Sequence, residues 1–302
     1  MTPLAAANRR GIVAMAGAMA CFIANDAVVK LASAAMPTAQ LIFLRGTMAT
    51  AIVLAVAFAT GALARARDTV HRSVVVRALA EALATVLYLT ALFQLPIANA
   101  AAINLSTPLF IVVLAVAFMG EKVSAAHWLA VCTGFAGVLL VVQPGLEGFN
   151  AYALVCLLSA LFQALRDLLT RRIAADVPAV LITLSTTVAV TLLAGALSLV
   201  EGWRAFAPRD LALLALAAAF LMGAYYLIVD AMRHGELSLV APFRYTGVLY
   251  AIVLGYLIWG DVPNALAWAG IALLVGAGLF VLHRERARAR GAGRAPAPAT
   301  AR

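Results

Sequence analysis

The chain has 302 residues, of which 65% are hydrophobic and only 12% charged, with a mean hydropathy of +1.01. Soluble domains are about half apolar and about a quarter charged, so a water-soluble fold is excluded. The net charge of +9 does not indicate nucleic acid, because six of the 22 basic residues (Arg284, Arg286, Arg288, Arg290, Arg294, Arg302) crowd into a terminal stretch without apolar period. That stretch is expected to be a disordered basic tail at a membrane surface.

Ala- and Leu-rich runs without apolar/polar alternation predict helices, and a bilayer core needs roughly 20 such residues per helix. Ten are expected, near 11–34, 38–59, 73–94, 97–118, 125–142, 150–170, 178–200, 210–232, 238–259 and 264–282. Helix 1 starts behind Arg9 and Arg10, runs past the length of a signal-peptide core, and is expected to stay as a span. It carries Phe22, Asp26 and Lys30 on one face, and helix 2 carries Arg45. On helix 3, Arg77, Glu81 and Tyr88 share a stripe. Helix 4 holds Asn99, Asn104, Ser106, Thr107 and Pro108, and proline frees carbonyls that are tolerated only against protein or a wet cavity.

Helix 5 has Gly134 and Gly137, small residues that suit a scaffold or dimer contact. Helix 6 aligns Ser159, Phe162, Gln163 and Arg166, with Asp167 beside them, and helix 8 aligns Tyr226 with Asp230 next to Tyr225. Helix 9 repeats the polar, proline-containing character of helix 4 with Pro242, Arg244, Tyr245 and Thr246; helix 10 repeats the glycines of helix 5 with Gly270, Gly276 and Gly278. Cys21, Cys132 and Cys156 lie in apolar runs without metal-ligand spacing, so no metal or cofactor is expected.

With the N-terminus in the cytoplasm, fifteen basic residues fall on that side against Arg204 and Arg209 on the other. The positive-inside rule then places both termini in the cytoplasm of a multi-pass inner-membrane protein. The two halves correspond at a shift of about 140 residues: Phe22 falls on Phe162, Leu41 and Ile42 on Leu181 and Ile182, Gly120 and Trp128 on Gly260 and Trp268. The expected organisation is an N-terminal tail (1–10), a first five-helix repeat (11–145), a second (146–283) and the basic tail (284–302). Five is odd, so the second repeat starts on the opposite side of the membrane. The expected fold is therefore all-α, ten transmembrane helices in two inverted five-helix repeats, a design found in many secondary transporters.

Ionisable residues inside a bilayer cost about 2.5–3.5 kcal/mol each at a helix centre and usually face a polar interior. Asp26, Lys30 and Arg45 form an expected outer cluster; Glu81, Arg166, Asp167, Asp230 and Arg244, with Arg77, an inner one. Between them lie Phe22, Tyr88, Tyr225, Tyr226 and Asn104, the pattern of a solute cavity gated at each mouth. Structural alternatives stand beside this: a static Asp26–Lys30 pair, snorkelling Arg77 and Asp230, and tyrosines that only pack at the interface. Glu81, more than a turn inside, is the candidate for proton coupling. No hydrolase or metalloprotease motif is present, and the histidines (His71, His127, His234, His283) sit in loops or near span ends, which excludes an enzyme. A passive channel for small solutes, or a membrane scaffold without transport, stays open as an alternative. The expected partners are a small-molecule substrate and the lipid bilayer, with helices 5 and 10 as the surface for a homodimer.

The stretch PIANAAAINLSTPLFIVVLAVAFMGEKVSAAHWLAVCTGFAGVLLVVQPG, residues 96–145, resembles the end of a repeat of the EamA family in the drug/metabolite transporter superfamily. APFRYTGVLYAIVLGYLIWGDVPNALAWAGIALLVGAGLFVL is similar, with Asp261 in place of Glu121. The resemblance implies alternating access, a cavity lined by helices 1–4 and 6–9, and peripheral helices 5 and 10. Members resemble carriers of amino acids, S-adenosylmethionine or riboflavin; the runs NDAVVK and APFRY lean towards the last two.

Overall fold

The computed structural model describes residues 3–120, 124–144, 150–170, 172–174, 176–234 and 240–292. Among them helices occupy ten segments: α1 (Pro3–Ala32), α2 (Thr38–Ala59), α3 (Arg72–Gln94), α4 (Ile97–Asn104 and Thr107–Met119), α5 (Ala125–Val142), α6 (Tyr152–Thr170), α7 (Ala179–Glu201), α8 (Pro208–His234), α9 (a 3-10 turn Ala241–Tyr245 leading into Thr246–Trp259) and α10 (Ala265–Ala292). Seven are long and apolar enough to cross a membrane; α5 and α10 add the shorter apolar stretches Trp128–Val142 and Ala265–Val281. A further 3-10 helix, Ala62–Val70, links α2 to α3. Glu121 and residues 293–302 of the expected tail lie outside the described residues.

Two ends differ from the hydropathy reading. Helix α1 starts at Pro3 and α10 continues to Ala292, so residues 284–292 are helical where disorder is expected. Hydropathy registers only what lipid accepts, whereas Ala and Arg favour helix in water as well, so a helix outlasts its apolar part.

The proline in α4 sets its break. Pro108 has no N–H for the Asn104 carbonyl four residues earlier; the Thr107 hydroxyl donates to that carbonyl at 2.8 Å, and the Ser106 hydroxyl to the Ile103 carbonyl at 2.7 Å. In α9 the Thr246 hydroxyl donates to the Phe243 carbonyl at 2.6 Å, and both residues lie 140 positions after Ser106 and Ile103. The segments α4 and α9 also end alike, on Gly120 (φ 65°) and Gly260 (φ 72°), a left-handed conformation that glycine adopts without Cβ strain. The repeat is thus visible in backbone detail. Thr107→Val, which strands a carbonyl, is expected to cost about 1 kcal/mol, lowering the melting temperature of purified protein by roughly 2–4 °C.

Packing follows the repeat. Helix α1 lies along α8 and α6 along α3; α2 runs against α7, α5 against α10, and α4 against α9. The two faces are the terminal face, which holds the start of α1 and the end of α10, and the far face. Along α2 and α7 the chain is tied at every level. At the far face Glu201 accepts from the amides of Thr38 and Ala39 (3.1 and 2.6 Å), and the buried Gln40 amide exchanges bonds with the Arg204 main chain (2.8 and 2.9 Å). Midway, Gly46 sits against Thr191, whose hydroxyl is 3.3 Å from that of Thr50. On the terminal face Arg65 donates to the Asp176 carbonyl and carboxylate at 2.7 and 2.8 Å.

The peripheral pair is closely packed. A Cβ on Gly137 of α5 would lie 2.8 Å from the Gly270 carbonyl oxygen of α10, and one on Gly270 would lie 2.5 Å from that of Gly137. Of the glycines expected as scaffold or dimer surfaces, Gly137 and Gly270 thus join α5 to α10 within the chain, whereas Gly278 faces Tyr245 of α9 and Gly276 has open space beside it.

One pair of boundaries departs from symmetry. Helix α3 packs closely on α7, but its repeat mate α8 touches α2, the mate of α7, only slightly. Between α2 and α8 opens an apolar cavity of about 400 Å³ lined by Met48, Ile52, Ala215, Ala218, Ala219 and Met222.

Candidate functional site

The ionisable residues of the spans separate into three groups. Towards the far face, Asp26 on α1 is buried and accepts from the Tyr88 hydroxyl on α3 at 2.7 Å and from the Asn25 amide at 2.9 Å. Arg45 on α2 lies within electrostatic reach of Asp26 and of Tyr225 on α8, yet among the described residues no ion pair within 4.0 Å joins it to a carboxylate. Its Nη1 is buried and meets no hydrogen-bond partner. Two further buried oxygens, Oδ1 of Asn25 and of Asn104, are equally without a partner.

Lys30 does not join this group. Its ammonium bonds the Leu95 carbonyl and stands 5.2 Å from the ring centre of Trp259, towards Asp261. Four residues of helix put Asp26 and Lys30 on one face, but Lys30 is one turn nearer the end, where its flexible stem reaches the loop before α4. Neither an Asp26–Lys30 pair nor a Lys30–Arg45 approach forms.

Towards the terminal face, Glu81 on α3 pairs with Arg166 on α6 at 2.7 Å, and Arg166 reaches Asp167 at 2.9 Å. Arg77 donates to the hydroxyl of Thr186 on α7 and, at 3.3 Å, to that of Thr170 on α6. Four charges and two hydroxyls thus join α3, α6 and α7 inside the terminal face. Arg77 does not snorkel: its side chain runs between helices. Thr170 and Thr186, absent from the expected site, carried no signal in sequence because threonines are common in apolar helices. Below this cluster Ser159 donates to the Ala84 carbonyl at 2.9 Å and Gln163 donates to Ser159 at 3.2 Å.

Between the two layers stand Phe22 and Tyr225, edge to face with ring centres 5.5 Å apart. Tyr225, half exposed, lies within electrostatic reach of Glu81, Arg166, Arg45 and Arg77, so it is the tyrosine that faces both charged layers. Tyr226 is 72% exposed. The stripe joining Tyr226 to Asp230 is real but faces the start of α1, where Arg10 grips Asp230 through two bonds of 2.6 and 3.1 Å. Arg10 is a flanking charge in sequence, and only the α1–α8 contact reveals its partner. Arg244 is exposed, in the 3-10 turn that opens α9, at the position corresponding to Asn104 in the first repeat. Among the described residues, no cluster of His, Cys, Asp and Glu suits a metal.

This geometry has known counterparts. The EamA-like transporter family matches residues 9–143 and 150–283, one copy in each half. The chain is 30% identical over 281 residues to the pseudopaline exporter CntI of Pseudomonas aeruginosa, covering 89% of this chain and 94% of that protein. It is 31% identical over 209 residues to a riboflavin transporter of Rhizobium johnstonii (69% of each), and 25% identical over 196 residues to an S-adenosylmethionine uptake transporter of Rickettsia bellii (63% and 65%). A solved crystal structure, 21% identical, shares the fold with a TM-score of 0.62 over 93% of this chain and 99% of the other. With a matching domain in each half and transporters among its relatives over most of its length, the chain belongs to the EamA-like transporter family, as a multi-pass membrane protein and not an enzyme.

Proposed function

We propose that the protein is a secondary-active carrier that moves a small polar or zwitterionic metabolite by alternating access, with the terminal face cytoplasmic and the membrane the inner membrane. One observation carries this reading. The boundary between α3 and α7 is closely packed and bridged by Arg77 and Thr186, with the Glu81–Arg166 pair beside it joining α3 to α6, while the symmetry-related boundary between α8 and α2 is loosely packed. In an inverted repeat, exchanging the conformations of the two halves exchanges the closed and the loose boundary, which is alternating access. A channel needs no such inequality. The charge distribution supports the sidedness, with Arg9, Arg10, Arg65, Arg67 and Arg72 all on the terminal side.

The relatives named for pseudopaline, riboflavin and S-adenosylmethionine set the size and polarity of the expected cargo. Asp26, Arg45, Tyr88 and Asn104 are the proposed substrate-facing residues, and Glu81, Arg166 and Asp167 the proposed gate. Proton coupling is proposed at Glu81, because a proton on its carboxylate removes the charge that holds Arg166. Purified protein in vesicles is expected to show saturable counterflow of one labelled metabolite from a panel of amino acids, S-adenosylmethionine and riboflavin, accelerated by a pH gradient. Flux that rises linearly with concentration sinks the carrier reading; equal rates with and without the gradient sink the coupling.

A further inference from the structure

We infer that the gap between α2 and α8 takes an acyl chain of a bilayer phospholipid, which holds that boundary in its loose form and has to leave before the boundary closes. Occupancy of the gap follows from packing alone; its effect on conformation rests on the carrier reading above and supplies a regulator for it. The repeat explains why the gap exists. Arg77, Glu81 and Thr186, which bridge α3 to its neighbours, correspond at the shift of 140 residues to Ala217, Leu221 and Gly46. None of these offers a polar group, and two are Ala and Gly. The α2–α8 boundary therefore lacks the bridges that close its mate.

The lining limits what can fill it. Met48 and Ile52 of α2 and Ala215, Ala218, Ala219 and Met222 of α8, all apolar, surround about 400 Å³. An apolar cavity does not retain water, and one left unfilled destabilises a fold in proportion to its volume. The gap reaches the surface, since Ile52 and Met222 are 39% and 40% exposed. By helix rotation Met222 stands between Tyr225 and Tyr226, with Ala218 on the stripe of the first and Ala219 on that of the second. Tyr226 is the more exposed of the two tyrosines, so the gap extends to the outer wall of the bundle.

Depth then selects the acyl chain. Met48 lies ten residues from Thr38 and eleven from Ala59, and Ala218 lies ten from either end of the span Pro208–Ile228. At a rise of about 1.5 Å per residue this is about 15 Å from each face of a hydrocarbon core about 30 Å thick, where a phospholipid has only its tails. Val56, one turn from Ile52, and Leu216, one turn from Ala219, are 44% and 45% exposed, so the gap is continuous with apolar surface that lipid covers. Because α2 and α8 still touch, a whole helix, about 10 Å across, does not enter between them. A single file of methylenes does.

The test uses the purified full chain in vesicles of phosphatidylethanolamine and phosphatidylglycerol, doped with a phospholipid that carries a diazirine midway along one acyl chain. After photolysis, adducts on Met48, Ile52 or Met222 are expected about tenfold above those on Leu192, which is 68% exposed in the middle of α7. Ala215→Leu with Ala219→Phe, which fills the gap, is expected to bring these adducts down to the Leu192 level. Met222→Ala, which widens the gap, is expected to raise them at Met48 and Ile52, and decides the matter if the filled variant does not fold. Conformation is read by Ser159→Cys, at a buried position of α6, with the native cysteines replaced. Filling the gap is expected to hold the α3–α7 boundary closed and to slow labelling by an impermeant maleimide from the terminal face about tenfold. Adducts no denser than on Leu192, adducts that survive filling, or an Ile52→Cys variant that forms a disulfide with a second copy in place of lipid adducts overturns the occupancy. Equal Ser159→Cys labelling in the filled and parent proteins overturns the coupling. Saturable counterflow with an unlabelled gap would leave the carrier reading intact while this inference falls. Linear flux with a labelled gap would do the reverse.

Discussion

Arg166→Gln is expected to open the terminal face and to slow transport at least tenfold. The pair Glu81–Arg166 is about four-fifths buried on both sides (17% and 20% side-chain exposure), so removing the cation strands a carboxylate in the protein interior. Breaking such a pair costs about 3 kcal/mol, and the whole cost falls on the conformation in which α3, α6 and α7 meet. A bias of that size changes the ratio of two conformers by more than about 100-fold. Ser159, fully buried on α6 behind the pair, reports the change. In a background with Cys21, Cys132 and Cys156 replaced, Ser159→Cys should be labelled by an impermeant maleimide from the terminal face faster once Arg166→Gln is added. Adding Glu81→Gln removes the stranded charge, and the double variant is expected to regain stability without regaining transport. Unchanged labelling would assign the cluster to static structure.

The second large effect is expected at the periphery. Gly137→Val places side-chain carbons against the main chain of Gly270, where neither backbone can yield without separating α5 from α10. Overpacking of this kind costs about 1–3 kcal/mol, and with several helix turns involved the melting temperature is expected to fall by roughly 4–10 °C. Transport per folded molecule and the oligomeric state in detergent should stay as in the parent, because this seam lies within one chain and away from the charged interior. A loss of dimer on Gly137→Val would show instead that the glycines serve contacts between copies.

The helices and their twofold repeat were legible along the chain. Hydrophobic length is a local quantity, fixed by the cost of placing each residue in lipid, and the shift of about 140 residues is carried by residues such as Gly120 and Gly260, whose φ angles of 65° and 72° turn out alike. Periodicity also placed Glu81 and Arg166 inside the bundle, since no other location lowers the cost of their charge. What it left open is which side chain meets which. Asp26 has Lys30 as its neighbour along the helix and Tyr88 as its partner across the bundle; Tyr225 and Tyr226 differ by about 100° of helix rotation, which hydropathy does not resolve. The inequality between the α3–α7 and α8–α2 boundaries is likewise absent from a sequence in which the halves look alike. Pairing, orientation and the closed face depend on how ten nearly equivalent helices choose their neighbours, and that choice is made by packing at Gly46, Gly137 and Gly270 and by ion pairs such as Arg10–Asp230. These form only when distant segments meet, so no local pattern of residues specifies them.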